Sequence, residues 1–442
     1  MQRGEGRVIQ ATSHTSGLSI SPDNHDISTW TVLHPTELLS DYMPVFVAAL
    51  LTTLLITPIV RRVAIANNII DYPDQGRKQH AYPIAYLGGM AIFIGVVVAI
   101  GASAIFTNGP AAILQGIPIS IVVGMFAIMF TGFADDIWKW DPRLKIAGQL
   151  IAAAALAIED IGPQLAAGVL SALLGEPHDI LFSIGTFSVP NSELYYWIGT
   201  AITAIFVIGG CNAANLIDGL DGLLTGTTTI MAAGLLAISL LMAYCLPVEN
   251  PETSLAGTRI ILSLILLGVT LGFLPYNFNP AIIFLGDCGS LLIGYLTVVI
   301  IMTFGEFGTT KYSVAGLICF GLPILDTTLA IIRRKSAGLS MSDADSSHIH
   351  HRLKRYFGGN VRKTVLTLYA IAAGFTIVGV GLSAMLLLTN VKGVVVMAGV
   401  LAAYALVVTF AFKRARRHEW IKKQHAESHA LKMNIAQQQK NT

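Results

Sequence analysis

Charge is what this chain has least of. Asp, Glu, Lys and Arg make up 12% of its 442 residues while hydrophobic types make up 54%, and a soluble protein carries about 25% charged residues. That shortage excludes the two or three soluble domains that the length alone would allow. Cysteine is scarce too. Cys211, Cys245, Cys288 and Cys319 show no paired spacing, which leaves no disulfide framework, and no Cys or His spacing of the zinc-finger kind occurs. The net charge is only +2, and no nucleic-acid partner is expected. Residues 1–41 are rich in Ser, Thr and His and lack the apolar core of a signal peptide, so the first apolar span must act as its own insertion signal.

What is abundant is apolar sequence. Eleven runs stand out, at 43–60, 84–106, 116–134, 145–160, 195–211, 224–244, 258–275, 288–305, 312–332, 364–388 and 392–412. Runs of about 18 residues or more suffice to cross a bilayer as helices, whose backbone groups are satisfied internally. The fold expected is an all-α membrane protein, a bundle of about eleven transmembrane helices. Of the 28 Lys and Arg, 23 fall in 61–83, 135–145, 333–363 and 413–442. With eleven alternating spans those four segments share one side, and Arg3, Arg7, Arg259, Lys311 and Lys392 share the other. Cytoplasmic loops carry the Lys/Arg excess. The N-terminus is therefore expected outside and the C-terminus in the cytoplasm, in a multi-pass protein of the cytoplasmic (inner) membrane. Three regions follow: a polar, disordered external tail over 1–41, a transmembrane domain over 42–412, and a basic cytoplasmic tail over 413–442. The stretch 161–194 is expected to hold a short external β-hairpin at DILFSIGTFSVP (179–190), with an irregular loop as the alternative.

This topology sends every unusual polar cluster to the cytoplasmic face: GRKQH (76–80), FADDIWKWDPRLK (133–145), NAANLIDGLDG (212–222), NFNPAIIFLGDCGS (277–290) and HIHHRL (348–353). Asp135 and Asp136 end a helix. Asn212, Asn215, Asp218 and Asp221 fall three apart, a spacing that puts them on one helical face. Asp287 lies between glycines that let backbone approach a ligand. So many carboxylates repel one another unless a cation or basic groups neutralise them. Carboxylate and amide oxygens suit a hard ion, and Mg²⁺ shares its shell with substrate phosphates. Arg77, Lys78, Lys139, Lys145, Arg352, His348, His350 and His351 can meet phosphate oxygens. Together the two sets describe a site for a metal-bound pyrophosphate.

The motifs DD at 135–136, NAANLIDGLDG, FLGDCGS at 284–290 and HIHHRL, in that order between spans, resemble those of the polyprenyl-phosphate N-acetylhexosamine-1-phosphate transferases over about residues 43–412. The HIHHRL form resembles the branch that uses UDP-N-acetylglucosamine rather than the muramoyl-pentapeptide branch. The resemblance implies transfer of a sugar-1-phosphate from a UDP-sugar to undecaprenyl or another polyprenyl phosphate. UMP is released, and a lipid-linked glycan of cell-wall or O-antigen type begins. It implies Mg²⁺ on Asn215 and Asp287, with Mn²⁺ as a substitute. Asp135, Asp136 and Lys145 take catalytic roles, Asp135 orienting or deprotonating the lipid phosphate with Asp136 in support, and Lys145 contacting the pyrophosphate. Asp218, Asp221, Asn277 and Phe284 fall to the nucleotide, Phe284 by stacking on uracil. His348, His350, His351 and Arg352 fall to the amino sugar and its phosphate. The partners implied are the two substrates and the bilayer, and a homodimer is left open. The muramoyl branch carries a lysine after the first-loop histidine where this chain has Ala81 and Tyr82 after His80, so the first loop's route to the nucleotide is open. A cation-coupled transporter is the alternative of another class, since intramembrane carboxylates mark ion pathways. Transporters, however, gather such groups at mid-bilayer and often in internal repeats.

Overall fold

A computed structural model describes residues 34–72, 83–107, 109–174, 180–184, 187–246, 251–306, 309–338 and 348–389, with scattered positions up to 413. Residues 1–33, 414–442, the GRKQH segment and nine of the 21 residues in 392–412 lie outside the described residues. The helices are α1 (Pro35–Ala66), α2 (Gly88–Phe106), α3 (Ile119–Trp138), α4 (Pro142–Ile158), α5 (Ile161–Leu174), α6 (Asn191–Ile217), α7 (Leu223–Cys245), α8 (Ala256–Asn277), α9 (Gly286–Thr303), α10 (Lys311–Cys319), α11 (Gly321–Ala337), α12 (Ile349–Tyr356) and α13 (Val361–Leu388). Two short antiparallel pairs accompany them, β1 (Ile70–Asp71) with β2 (Ile84–Ala85) and β3 (Ile180–Ile184) with β4 (Phe187–Pro190). The second pair is the hairpin expected within 161–194, and the front of that stretch is the helix α5 rather than loop.

Helix α9 is the axis of the bundle. In its apolar window 94% of residues are buried, against 28% in α1 and in α13, so α9 is enclosed by protein while α1 and α13 turn apolar side chains outward. Small residues let neighbours reach it. A Cβ on Gly89 of α2 would lie 2.1 Å from the backbone nitrogen of Gly289, so α2 and α9 cross with nothing between their backbones.

Helix directions alternate about one end of the bundle. Lys145 in the first turn of α4, Asn215 in the last turn of α6 and Asp287 in the first turn of α9 are bonded to one another, so α4 runs away from that end, α6 returns to it and α9 leaves again. Arg61 of α1 donates from Nε to the carbonyl of Ile282, and Arg362 of α13 to that of Asn279, which brings the end of α1 and the start of α13 to the same place. At the far end Arg259 of α8 is buried against Glu306, with Nη1 3.2 Å from Oε2.

Eight helices are long and apolar enough to cross a membrane among the described residues, or nine with α10 and α11 taken as one span broken by 78°. Eleven were expected. The fourth expected span is α4, whose 17 residues extend about 26 Å at 1.5 Å each, a little under the ~30 Å hydrocarbon layer. The eleventh is described in part, and its described residues include only a shorter apolar helix, Ala398–Val407. The first helix starts at Pro35, inside the stretch read as tail, because proline is pre-set for the first helical position.

Candidate active site

Four helices meet at the centre of this end. Asp141 starts α4 by accepting the Arg143 N–H (2.8 Å), with Pro142 in the first turn, and this start sets Lys145 against α3 and α9. Its Nζ lies 2.7 Å from Asp135 Oδ2 and 2.5 Å from Asp287 Oδ2. The other oxygen of Asp287 accepts from Asn215 Nδ2 at 2.9 Å, and the same amide nitrogen donates to Ser290 Oγ at 2.9 Å. Asn215 thus spends its nitrogen on structure and keeps its oxygen for a ligand.

Asp136 does something different from its neighbour. Helix α9 has Leu285 at its N-cap, which offers no side-chain acceptor, and the first N–H groups of a helix need one. Asp136 provides it from α3, accepting the N–H groups of Asp287 (2.8 Å) and Cys288 (3.0 Å). Gly286 makes room. Its φ is +75°, and a Cβ there would lie 2.6 Å from Asp136 Oδ2.

The single helical face expected for Asn212, Asn215, Asp218 and Asp221 is not formed. Helix α6 ends at Ile217, Asp218 is its C-cap, and Asp221 lies in the turn before Gly222, whose φ is +74°. Gly222 is the N-cap of α7, and its left-handed backbone, which glycine takes without a Cβ penalty, turns the chain into that helix. Asp218 still reaches the cluster. Burial first, then the charges of Asp287, Asp136 and Asp221, pushes its pKa up to about 8, so an arriving cation would ionise it. Asp221 accepts from Asn279 Nδ2 (2.9 Å) and the Ala281 N–H (3.0 Å). Buried Asn277 donates to the Ile283 carbonyl (3.1 Å) and accepts from Thr225 Oγ1 (2.8 Å). Both residues shape the 278–285 loop that presents Phe284, half-buried and edge-on to Tyr86.

HIHHRL is anchored by a residue that sequence reasoning passed over. Asp326, 1% exposed, faces His348 Nδ1 at 2.9 Å and accepts the Ile349 N–H at 2.8 Å. It is the sole Asp, Glu, Lys or Arg in the apolar run 312–332, and an isolated intramembrane carboxylate is a functional signal in itself. Tyr86 and Ser290 were also missed, and as uncharged residues they carried no comparable signal. His350, 2% exposed, lies against Gly219, where a Cβ would come 2.4 Å from its Nε2. Burial, then the charge of His351, pushes its pKa down to about 3. His351 is half-buried, and Arg352 is exposed without a side-chain partner among the described residues. No group of three His, Cys, Asp or Glu among the described residues is placed to hold a metal. A cation here would therefore complete its shell with water and substrate oxygens.

Fold and site define a class: a multi-span helical protein whose helix ends assemble a carboxylate, amide and ammonium cluster. Residues 118–305 match the family model described as Glycosyl transferase family 4. The chain is 38% identical, over 75% of its length and 82% of the other's, to a Bacillus subtilis protein named probable undecaprenyl-phosphate N-acetylglucosaminyl 1-phosphate transferase. It is 32% identical, over 73% and 77%, to a Mycobacterium tuberculosis protein named decaprenyl-phosphate N-acetylglucosaminephosphotransferase. A phospho-N-acetylmuramoyl-pentapeptide-transferase of Desulforamulus reducens is 29% identical over 66% and 80%. The chain belongs to glycosyl transferase family 4, as its motifs implied.

Proposed function

We propose that the protein transfers N-acetylglucosamine-1-phosphate from UDP-N-acetylglucosamine to undecaprenyl or a related polyprenyl phosphate at the cytoplasmic face of the inner membrane, releasing UMP. The observation that carries this is the Lys145 ammonium held between Asp135 and Asp287 with Asn215 on the far oxygen of Asp287. With a divalent cation bound, such a cluster can gather two anions. The names of the Bacillus subtilis and Mycobacterium tuberculosis relatives support the same acceptor class and sugar.

In the reaction, an oxygen of the lipid phosphate bonds to the β-phosphorus of the donor. The bond from that phosphorus to the bridging oxygen breaks, and the bridging oxygen leaves on UMP. A phosphate monoester is largely dianionic near neutral pH, its second pKa being about 6, so the acceptor arrives with little proton to lose. Asp135 then serves mainly to orient it. Lys145 offers a point charge to the pyrophosphate once substrate draws it from the carboxylates. The oxygen-donor set of Asp287, Asp135 and the Asn215 carbonyl fits a hard cation, and a bound Mg²⁺ would supply neutralisation of developing phosphate charge. Phe284 offers its ring to the uracil, and Arg352 and His351 reach toward the sugar end.

The test is UMP release from UDP-N-acetylglucosamine by purified protein, with and without polyprenyl phosphate and Mg²⁺. Release that requires both supports the assignment. Lipid-independent release, or none with any UDP-N-acetylhexosamine, rejects it.

A further inference from the structure

The route of the first loop to the site starts from three backbone bonds. The Phe284 N–H donates to the Ala85 carbonyl (2.8 Å), the Gly88 N–H to the Phe284 carbonyl (2.8 Å), and the Gly89 N–H to the Leu285 carbonyl (2.7 Å). They stitch segment 85–89 to the loop that carries Phe284 and Asp287. Tyr86 sits inside this stitched segment, half-buried, its own N–H donating to the Ile69 carbonyl (3.1 Å). Its ring meets Phe284 edge-on, at 6.4 Å between centroids and 90° between planes. The Lys139 ammonium lies 5.4 Å from its centroid.

The hydroxyl is set apart by its surroundings. Tyr196, Tyr244, Tyr312 and Tyr356 also lack a side-chain hydrogen bond among the described residues, but Tyr86 stands beside the carboxylates Asp136, Asp287 and Asp218. Tyr42, Tyr276, Tyr295 and Tyr369 each donate theirs to a backbone carbonyl, of Ala111, Leu54, Ile121 and Gly222 in turn. That is how a tyrosine serving packing alone settles its polar tip. Tyr86 has no side-chain hydrogen bond among the described residues, although it lies within electrostatic reach of Asp136, Asp287 and Asp218. Burial, reinforced by those carboxylates, raises its pKa, so the phenol stays protonated and able to donate. A neutral donor is what an already acidic pocket can set beside a substrate acceptor without further repulsion.

We propose that Tyr86 contacts the nucleoside half of the UDP-sugar donor, its hydroxyl donating to that half and its ring walling the slot floored by Phe284. This rests on the reading above in which Phe284 stacks on the base. Two rings at right angles make a corner, and a planar heterocycle stacked on one presents its carbonyl-bearing edge to the other. The first loop then reaches the nucleotide through Tyr86 rather than through a lysine after His80.

The experiment uses purified full-length protein. UDP binding is followed by calorimetry without lipid acceptor, and donor and acceptor KM are measured for wild type, Tyr86→Phe, Tyr86→Ala and Phe284→Leu, with melting temperatures as the folding control. Losing a neutral hydrogen bond of about 0.5–1.5 kcal/mol corresponds to roughly 2- to 12-fold. Tyr86→Phe should weaken UDP binding and raise donor KM by that factor, leaving acceptor KM unchanged and kcat within about twofold. Tyr86→Phe keeps the ring, so the test survives if Tyr86→Ala fails to fold. Unchanged UDP affinity in Tyr86→Phe, or a shift confined to acceptor KM, overturns the proposal. If Phe284→Leu still weakens UDP binding in that case, the base slot stands and Tyr86 alone is excluded. If Phe284→Leu has no effect either, the slot itself falls.

Discussion

At the scale of single residues, adjacent side chains in this site perform different tasks. Asp287 shares its oxygens between Lys145 and Asn215, while its own N–H is held by Asp136. Asp287→Ala should therefore keep the start of α9 and lose the ligand. Turnover should fall by about 10²-fold or more, the usual cost of removing one stabiliser of transition-state charge. Asn215→Ala should behave alike, since its carbonyl is the part left for a ligand. Near-normal kcat in either folded variant would remove these residues from the proposed metal site. His350 supports a pH prediction. It is faced by Asp326 from α11, which favours its charged form, and by His348, His351 and Lys354 of α12, which oppose it, and burial outweighs them all. Its folded pKa of about 3 lies below the ordinary ~6.5, so below about 6.5 the unfolded chain binds a proton that the folded chain refuses. Stability from this group is present above pH ~6.5 and is lost progressively as pH falls toward 3. Asp218, whose folded pKa is raised to about 8, gives the opposite slope over the same range, so the prediction is a difference: from pH 7.5 to 5.5 the melting temperature of the wild type should fall relative to that of His350→Asn. Equal slopes in both proteins would show that other groups set it.

At the scale of elements, the start of α9 depends on a carboxylate from another helix and a glycine that makes room for it. Asp136→Asn keeps the shape but loses charge and one acceptor at a helix N-terminus, which should cost about 1–2 kcal/mol. Gly286→Ala should be worse, because it adds left-handed backbone strain of about 1–2 kcal/mol to a Cβ 2.6 Å from Asp136 Oδ2. Both should lower the melting temperature, Gly286→Ala the more, and donor and acceptor kinetics should suffer together. A Gly286→Ala protein as stable and active as wild type would mean that Asp136 does not cap α9. Elements also show which features were legible in sequence. The helices could be read from their apolar lengths, and the gathering of Asp135, Lys145, Asn215 and Asp287 from charge set against an apolar background. The fate of Asp218 and Asp221 was not legible, because three-residue spacing suits a helix, whereas α6 ends at Ile217 and the chain turns over 218–222 into α7. Nor was the commitment of Asn277 and Asp221 to the 278–285 loop, since their partners Thr225, Ile283, Asn279 and Ala281 are chosen by a turn whose path sequence does not reveal.

At the scale of the whole molecule, the helix directions and the charge distribution can be tested together. With Lys145, Asn215 and Asp287 bonded at one end, α4 must leave that end and α6 must return to it, whatever the length of α4. The same end receives α1, α3 and α8 and releases α2, α7, α9 and α13, and it adjoins the segments that hold most of the Lys and Arg. Of the five basic residues expected on the opposite side, Arg259 is neutralised by buried Glu306, which sharpens the asymmetry in free charge. The rule that cytoplasmic loops carry the Lys and Arg excess then predicts that the site end faces the cytoplasm. Single cysteines introduced into a protein lacking its four native ones can check this in intact cells with a membrane-impermeant maleimide. Glu252→Cys, at the far end beside α8, should label from outside. Trp138→Cys and Tyr356→Cys, at the site end, should label only after the membrane is opened, and so should Lys423→Cys if 392–412 completes an eleventh crossing. External labelling at Trp138→Cys would invert the topology and separate the site from cytosolic UDP-sugars. External labelling at Lys423→Cys alone would leave the site where it is and reduce the crossings to ten.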